Sequence, residues 1–380
     1  MENQTGFCKS NTVKRIGNIL IVQTAFAGDA VLTEPLVTAV MALYPRACVD
    51  VLLTPETAVL FKNHPAVRTV LAYDKQRSEK GAAAFLKWCC RLRQSRYDLA
   101  LVPHRSIRSA LLVFLAGVPR RVGFHRSAGW FLFTDVVQYS RRVHEVERNL
   151  DLIRRLGWRG CAPNPTLHPG SEEKSAVRRL LREQRIRPGQ PLLAMAPGSV
   201  WPTKRWPAHR FGDVARTLYQ RNGIRTVLIG GPADLGLAEV VRTRAGKAVA
   251  DATGRFSLLE SAEAIRRFGR LLANDSAPLH LASAVGAKTA AVFGPTVTAF
   301  GFGPFGGGHA VIQHRLECRP CAIHGGRKCP RGHFQCMLGI TADEVAGTVL
   351  RTLFDRREPI REAVGAQAGP YSTLHKTHSA

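Results

Sequence analysis

A turn of small residues, TAFAGD, ends on the carboxylate Asp29, with Gly28 beside it to relax the backbone. An acidic side chain at the mouth of a helix either caps free N–H groups or, where it faces a cleft, takes a proton from a hydroxyl within hydrogen-bond reach. In the second half of the chain, APGSVWPTKRWPAHRF sets Ser199 in a Gly–Ser turn and places Lys204 and Arg205 between Trp201 and Trp206. Flexible cations just beyond a strand end suit a diphosphate, although the same loop would also serve as a structural plug. The run LLANDSAPLHLASAVG puts Asn274, Asp275 and Ser276 at a strand end. There the N–H groups of Ser276 and Ala277 open a helix, which favours an anion through its dipole and its free donors. His280 lies one turn further on, either as a packing residue or within reach of that ligand, and Asp234 in GGPAD is either a cap or a ligand contact. FGPT at 293–296 completes the ring of loops.

Other chemistry is bounded by what the motifs lack. There is no GxxxxGK[ST] phosphate loop and no GxGxxG after the first strand, which argues against dinucleotide redox enzymes. Of nine cysteines, four fall between positions 318 and 336: Cys318, Cys321, Cys329 and Cys336, with His333 among them. The CxxC pair has the spacing of a zinc knuckle and the other two do not, so the cluster either seats a tetrahedral zinc or packs reduced thiols in a Gly-rich loop.

These turns need elements to aim them. IGNILIVQ at 16–23 is a strand-length apolar run, followed by a helical pattern from 30 to 44 with Pro35 in its first turn. Strands at CVDVLL, YDLALVP and RRVGF alternate with helical stretches, one of them ERNLDLIRRL with a core-facing stripe of Leu150, Ile153 and Leu156. After the Pro-rich CAPNPTLHPG and a basic helix the alternation restarts, giving five strand–helix repeats from PLLAMAPG to TAAVFG. Such alternation implies parallel sheets covered by helices on both faces. The expected organisation is an extension at 1–15, a Rossmann-like domain at 16–184, a linker at 185–191, a second Rossmann-like domain at 192–340, a helix at 341–356 and a disordered tail at 357–380. Two doubly wound halves facing one another place the carboxyl ends of both sheets on one cleft, where open α/β sheets bind ligands.

The 380 residues carry 54 basic and 28 acidic side chains, a net charge of +26 that favours phosphate-rich partners. Duplex nucleic acid would be one, but no reading motif accompanies the charge, and no nucleic acid is expected as partner. No window reaches the roughly 18 unbroken apolar residues of a membrane span, and MENQTGFCKSNTVKR has no signal-like apolar stretch, so a cytoplasmic location is expected.

Taken together, TAFAGDAVLTEP, APGSVWPTKRWP and NDSAPLHLASAVG…FGPT resemble glycosyltransferase family nine, the ADP-heptose:lipopolysaccharide heptosyltransferases, over nearly the whole chain. HEVERN from His144 and CPRGHFQCM from Cys329 are similar to the heptosyltransferase II branch. The resemblance implies a GT-B fold and inverting transfer of heptose from ADP-heptose to the lipopolysaccharide inner core, a Kdo-lipid A type acceptor, at the cytoplasmic face of the inner membrane. It implies Asp29 as general base, Lys204 on the donor phosphates, Asp275 on sugar hydroxyls, Ser276 and Ala277 on the diphosphate and Asp234 on the ribose, with Ser199 and His280 beside them. No metal is obligatory for such a reaction, because fixed donors receive the leaving charge. The family alternative is another nucleotide sugar or a core or capsule acceptor. The basic loops holding His104, Arg105, Arg108 and Arg121 are expected to meet acceptor phosphates or anionic lipid. One departure stands out: Ala277 replaces a family glycine, which would strain any backbone needing positive φ there.

Overall fold

The computed structural model describes residues 16–354, so the expected extension at 1–15, the tail at 357–380 and the last two residues of the 341–356 helix lie outside the described residues. In the first half the chain runs β1 (Asn18–Val22), α1 (Ala27–Leu43), β2 (Cys48–Leu53), α2 (Pro55–Ala58), β3 (Thr69–Ala72), α3 (Ala82–Gln94), β4 (Leu99–Val102), α4 (Ile107–Leu115), β5 (Arg120–Phe124), β6 (Asp135–Val137) and α5 (Glu145–Arg154). Helix α6 (Ser171–Glu183) then leads into β7 (Leu192–Ala196), α7 (Ala208–Asn222), β8 (Arg225–Leu228), α8 (Leu235–Ala245), β9 (Val249–Asp251) and α9 (Leu258–Phe268). The second half continues through β10 (Arg270–Asn274), α10 (Ala277–Ala284), β11 (Lys288–Phe293), β12 (His309–Gln313), α11 (Gln335–Leu338) and α12 (Ala342–Val349).

The two six-stranded sheets have the orders β3-β2-β1-β4-β5-β6 and β12-β11-β10-β7-β8-β9, which are the same topology used twice. Every strand pairing is parallel. Parallel sheets are covered on both faces, and accordingly Ile19, Leu20, Ile21 and Val22 are all fully buried, pointing alternately into the two layers. One apolar cluster runs from Ile19 and Val37 of the first half to Ala194 and Ile265 of the second. It is carried across the joint by α1, which packs on both α5 and α10. Helix α6 packs against α9, and its Glu172 meets Lys62 at 2.5 Å, so it touches both halves.

Two readings of the elements need correction. Helix α1 begins at Ala27, not 30, so Pro35 sits in the helix interior and removes an intrahelical donor there. The second sheet has six strands rather than five, and the first has β3 and β6 beside the four strands read from the sequence. Strand β12 (HAVIQ) follows the glycine-rich GFGPFGGG, and with only a half-buried edge pattern it lacks a continuous apolar run. No helix among the described residues is long and apolar enough to cross a membrane.

Candidate active site

In each sheet the strand order reverses at one place, between β1 and β4 and between β7 and β10. The loops leaving those strands open a crevice at their carboxyl ends. Asp29 follows β1, His104 and Arg105 follow β4, Ser199 to Arg205 follow β7, and Asp275 to Ala277 follow β10. A cleft of about 800 Å³ lies between the halves, lined from one side by Thr24–Ala27, Tyr73–Arg77 and His104, and from the other by Ser199, Gly230–Asp234, Phe256 and Ser276–Pro278. That volume suits a nucleotide-sized ligand.

Asp29 lies in the first turn of α1, where its carboxylate accepts the backbone N–H of Phe26. Burial pushes its pKa up to about 6, opposed by that hydrogen bond and by the positive charges of Arg105 and Lys204. It is therefore ionised at neutral pH yet basic enough to accept a proton. Opposite, Lys204 Nζ stands 2.6 Å from Asp275 Oδ2, and Thr296 Oγ1 donates to the same oxygen at 2.6 Å. Both partners of this ion pair are largely buried. Ser276 is extended (φ −156°) and precedes α10, whose first N–H groups have no acceptor within the helix. Ala277 has no positive φ, so the methyl group that replaces a family glycine brings no backbone strain.

The two halves touch beside Asp29. A Cβ on Gly28 would stand 2.8 Å from the His280 ring, so only glycine permits this approach. His280 is buried, its Nδ1 has no hydrogen-bond partner, and burial together with His144 and Lys204 pushes its pKa down to about 3. It is a neutral ring wedged at the joint. Asp234 accepts the Gly231 N–H at 3.0 Å, and its carboxylate fills the space where a Gly198 Cβ would be, 2.2 Å away. His104 Nδ1 lies 3.1 Å from Thr24 Oγ1 and 2.8 Å from Ser109 Oγ, and burial, then Lys75 and Arg105, push its pKa down to about 4. Arg105 stacks over Tyr139 at 4.4 Å, while Arg108 donates to the Tyr73 hydroxyl at 2.8 Å and braces the cleft wall from behind. Arg121 is not brought to the cleft: it donates to the carbonyls of Leu132 (2.7 Å) and Val118 (2.5 Å).

The family model described as glycosyltransferase family 9 (heptosyltransferase) matches residues 85–328. The chain belongs to glycosyltransferase family 9. Lipopolysaccharide heptosyltransferase 2 of Escherichia coli strain K12 is 26% identical over 289 residues, covering 73% of this chain and 83% of the relative. Lipooligosaccharide heptosyltransferase 2 of Haemophilus influenzae is 24% identical over 343 residues, covering 86% and 96%. Among solved structures, E. coli ADP-heptose lps heptosyltransferase II superposes with a TM-score of 0.74 at 23% identity, over 88% of this chain and 98% of that one. The fold is GT-B, and this family 9 member is a glycosyltransferase.

Several side chains around the site of this family 9 transferase take part through contacts that the sequence does not reveal. Glu145 is buried with a pKa raised to about 7, by burial against the pull of Arg148 and with the negative charge of Asp29 adding to the rise. Arg148, also buried, donates to Glu145, to Tyr139 (2.9 Å) and to the carbonyl of Phe300 in the other half. Glu145 N donates to Gly301 O at 2.8 Å, and His144 Nε2 lies 3.0 Å from Gly303 O. The HEVERN segment is thus a clasp between the halves. The cysteine-rich loop also bears on the site. Thr203 and Gly326 exchange hydrogen bonds of 2.9 and 2.7 Å, which lays Gly325 against Lys204. His324 lies near Lys204, Arg105 and Asp275, with its pKa lowered first by burial. Cys318 Sγ is 3.9 Å from His333 Nε2, and Cys321 Sγ donates to Cys318 O, but no group of three or more metal-binding side chains forms among the described residues, so the zinc arrangement of Cys318, Cys321, Cys329 and Cys336 gains no support.

Proposed function

We propose that this chain transfers heptose from ADP-heptose to an inner-core sugar of lipopolysaccharide, with inversion, at an anionic cytoplasmic membrane surface. The observation that carries the reading is one carboxylate of raised pKa, Asp29, near enough to feel the positive charges of Arg105 and, from the other half, Lys204, which is itself paired with Asp275 at the end of β10. In this mechanism Asp29 removes the proton of the acceptor hydroxyl as that oxygen attacks the anomeric carbon. The bond to the diphosphate breaks on the opposite face, and Lys204 with the N–H groups of Ser276 and Ala277 receives the departing charge. Asp275 orients Lys204 and a sugar hydroxyl, Ser199 and Asp234 hold the nucleoside end, and neutral His280 keeps the halves in register. His104 and Arg105, with Arg108 behind them, meet the acceptor. The relatives named above are heptosyltransferases acting on lipopolysaccharide or lipooligosaccharide, which supports this choice of sugar and acceptor.

The test is mass spectrometry of products formed from a panel of nucleotide sugars and truncated lipopolysaccharides. A heptose-sized mass gain with ADP-heptose alone supports the reading. Turnover with another nucleotide sugar and none with ADP-heptose overturns the donor assignment.

A further inference from the structure

The segment WFLF at 130–133 uses its aromatic rings in opposite ways. Phe133 is buried, packed where Gly123 has no side chain. Trp130 and Phe131 turn outward on the 3-10 turn Trp130–Leu132, 52% and 62% exposed. This turn sits on α4, where a Cβ on Gly129 would lie 2.6 Å from Ala110 Cβ. Ile107 and Phe114, seven residues apart and so on one face of α4, are 47% and 44% exposed. Four large, partly exposed apolar side chains therefore share one end of the first half, with the Arg121 guanidinium 5.3 Å from the Phe114 ring centroid.

The charges around the patch narrow its partner. From residue 99 to 134 the chain has no acidic side chain and five arginines; Arg120 is paired with Asp135 at 3.2 Å, which leaves Arg105, Arg108, Arg121 and Arg126 without an acidic partner among the described residues. A two-fold contact with a second copy would set this basic surface against itself. A surface that carries apolar chains beneath a layer of negative charge complements both features, with the Trp ring suited to the boundary between them. The patch is also continuous with the site, because Ala128 N donates to Arg105 O at 3.1 Å and Arg105 is one of the charges acting on Asp29.

We propose that Trp130 and Phe131, flanked by Ile107, Phe114 and the exposed Arg126, form the surface by which this transferase docks on an anionic phospholipid bilayer, bringing the Arg105 side of the cleft to a lipid-borne acceptor. The docking surface deepens the proposed function and rests on it only for the nature of the acceptor. The arginines draw the face to the headgroups, and the two rings then insert at the boundary with the acyl chains.

The test is co-sedimentation of the full chain with vesicles of phosphatidylcholine alone, or of phosphatidylcholine with about one-third phosphatidylglycerol. Wild type is expected to bind the mixed vesicles and not the neutral ones. The Trp130→Ser/Phe131→Ser double variant is expected to bind the mixed vesicles at least about tenfold more weakly, with an unchanged unfolding transition and unchanged turnover on a deacylated, water-soluble acceptor. Equal binding by the two proteins overturns the proposal, as does a dimer in sedimentation that the double variant loses while neither binds vesicles. Vesicle binding needs no sugar substrate. Loss of the transferase reading therefore shows as absent turnover with Trp130-dependent binding intact, and loss of this surface shows as normal turnover with binding indifferent to the rings.

Discussion

Asp29 is costly where it stands. Its pKa is raised from the usual carboxylate value to about 6, so the folded protein binds its proton more tightly than the unfolded chain does. The stability linked to that proton is fully present below about pH 4 and is lost as pH rises through 6. Asp29→Asn is therefore expected to stabilise the fold at pH 8 by something on the order of 1–3 kcal/mol and to change little at pH 4, read from denaturant unfolding at the two pH values. Turnover of the wild type is expected to rise with an apparent pKa near 6 and level off above it, a limb that a rate profile flat from pH 5 to 8 would deny. Gly28→Ala drives a methyl group into the His280 ring, which has no room to retreat at a buried joint. We expect kcat to fall by about tenfold or more because the reacting groups are spread apart, with the variant chain still folded by circular dichroism. Asp29, Lys204 and Ser276 could be picked out of the sequence because each sits in a strand-to-helix turn of small or polar residues. Arg148, Glu145 and His324 could not, since their significance comes from contacts with residues far away in the chain: Phe300, Asp29 and Lys204 respectively.

At the scale of elements, strands flanked by glycine-bearing turns were legible because parallel strands are buried on both faces and read as unbroken apolar runs. Of the four edge strands, β3, β6 and β12 are short or half exposed, and their patterns blur into the loops around them. HEVERN at the start of α5 was legible as a resemblance, but the clasp it makes was not, since its pattern scans as an ordinary amphipathic helix start. Its Arg148 pairs with Glu145 at a position where both are shielded from water. Removing one member of such a pair leaves an unpaired buried charge and typically costs about 3–5 kcal/mol. Arg148→Met should accordingly lower unfolding free energy by about that amount, while the double variant Arg148→Met/Glu145→Gln recovers part of it. A double-mutant cycle in urea measures the difference, and additive effects would show that the two side chains act independently.

Across the whole molecule, one topology occurs twice, and both switch points open on the same cleft. In the proposed mechanism the first half lends a base and the second an anion site, so neither would be competent alone. Binding of a nucleoside diphosphate to the second half should leave the first half's carboxylate untouched, and the two contributions can be separated experimentally. The measurement that separates them is steady-state turnover of Asp29→Asn alongside its calorimetric affinity for ADP. The account predicts a fall in kcat of about a thousandfold with ADP affinity within about twofold of wild type. Turnover within tenfold of wild type, or a loss of ADP affinity large enough to explain the loss of rate, would contradict it.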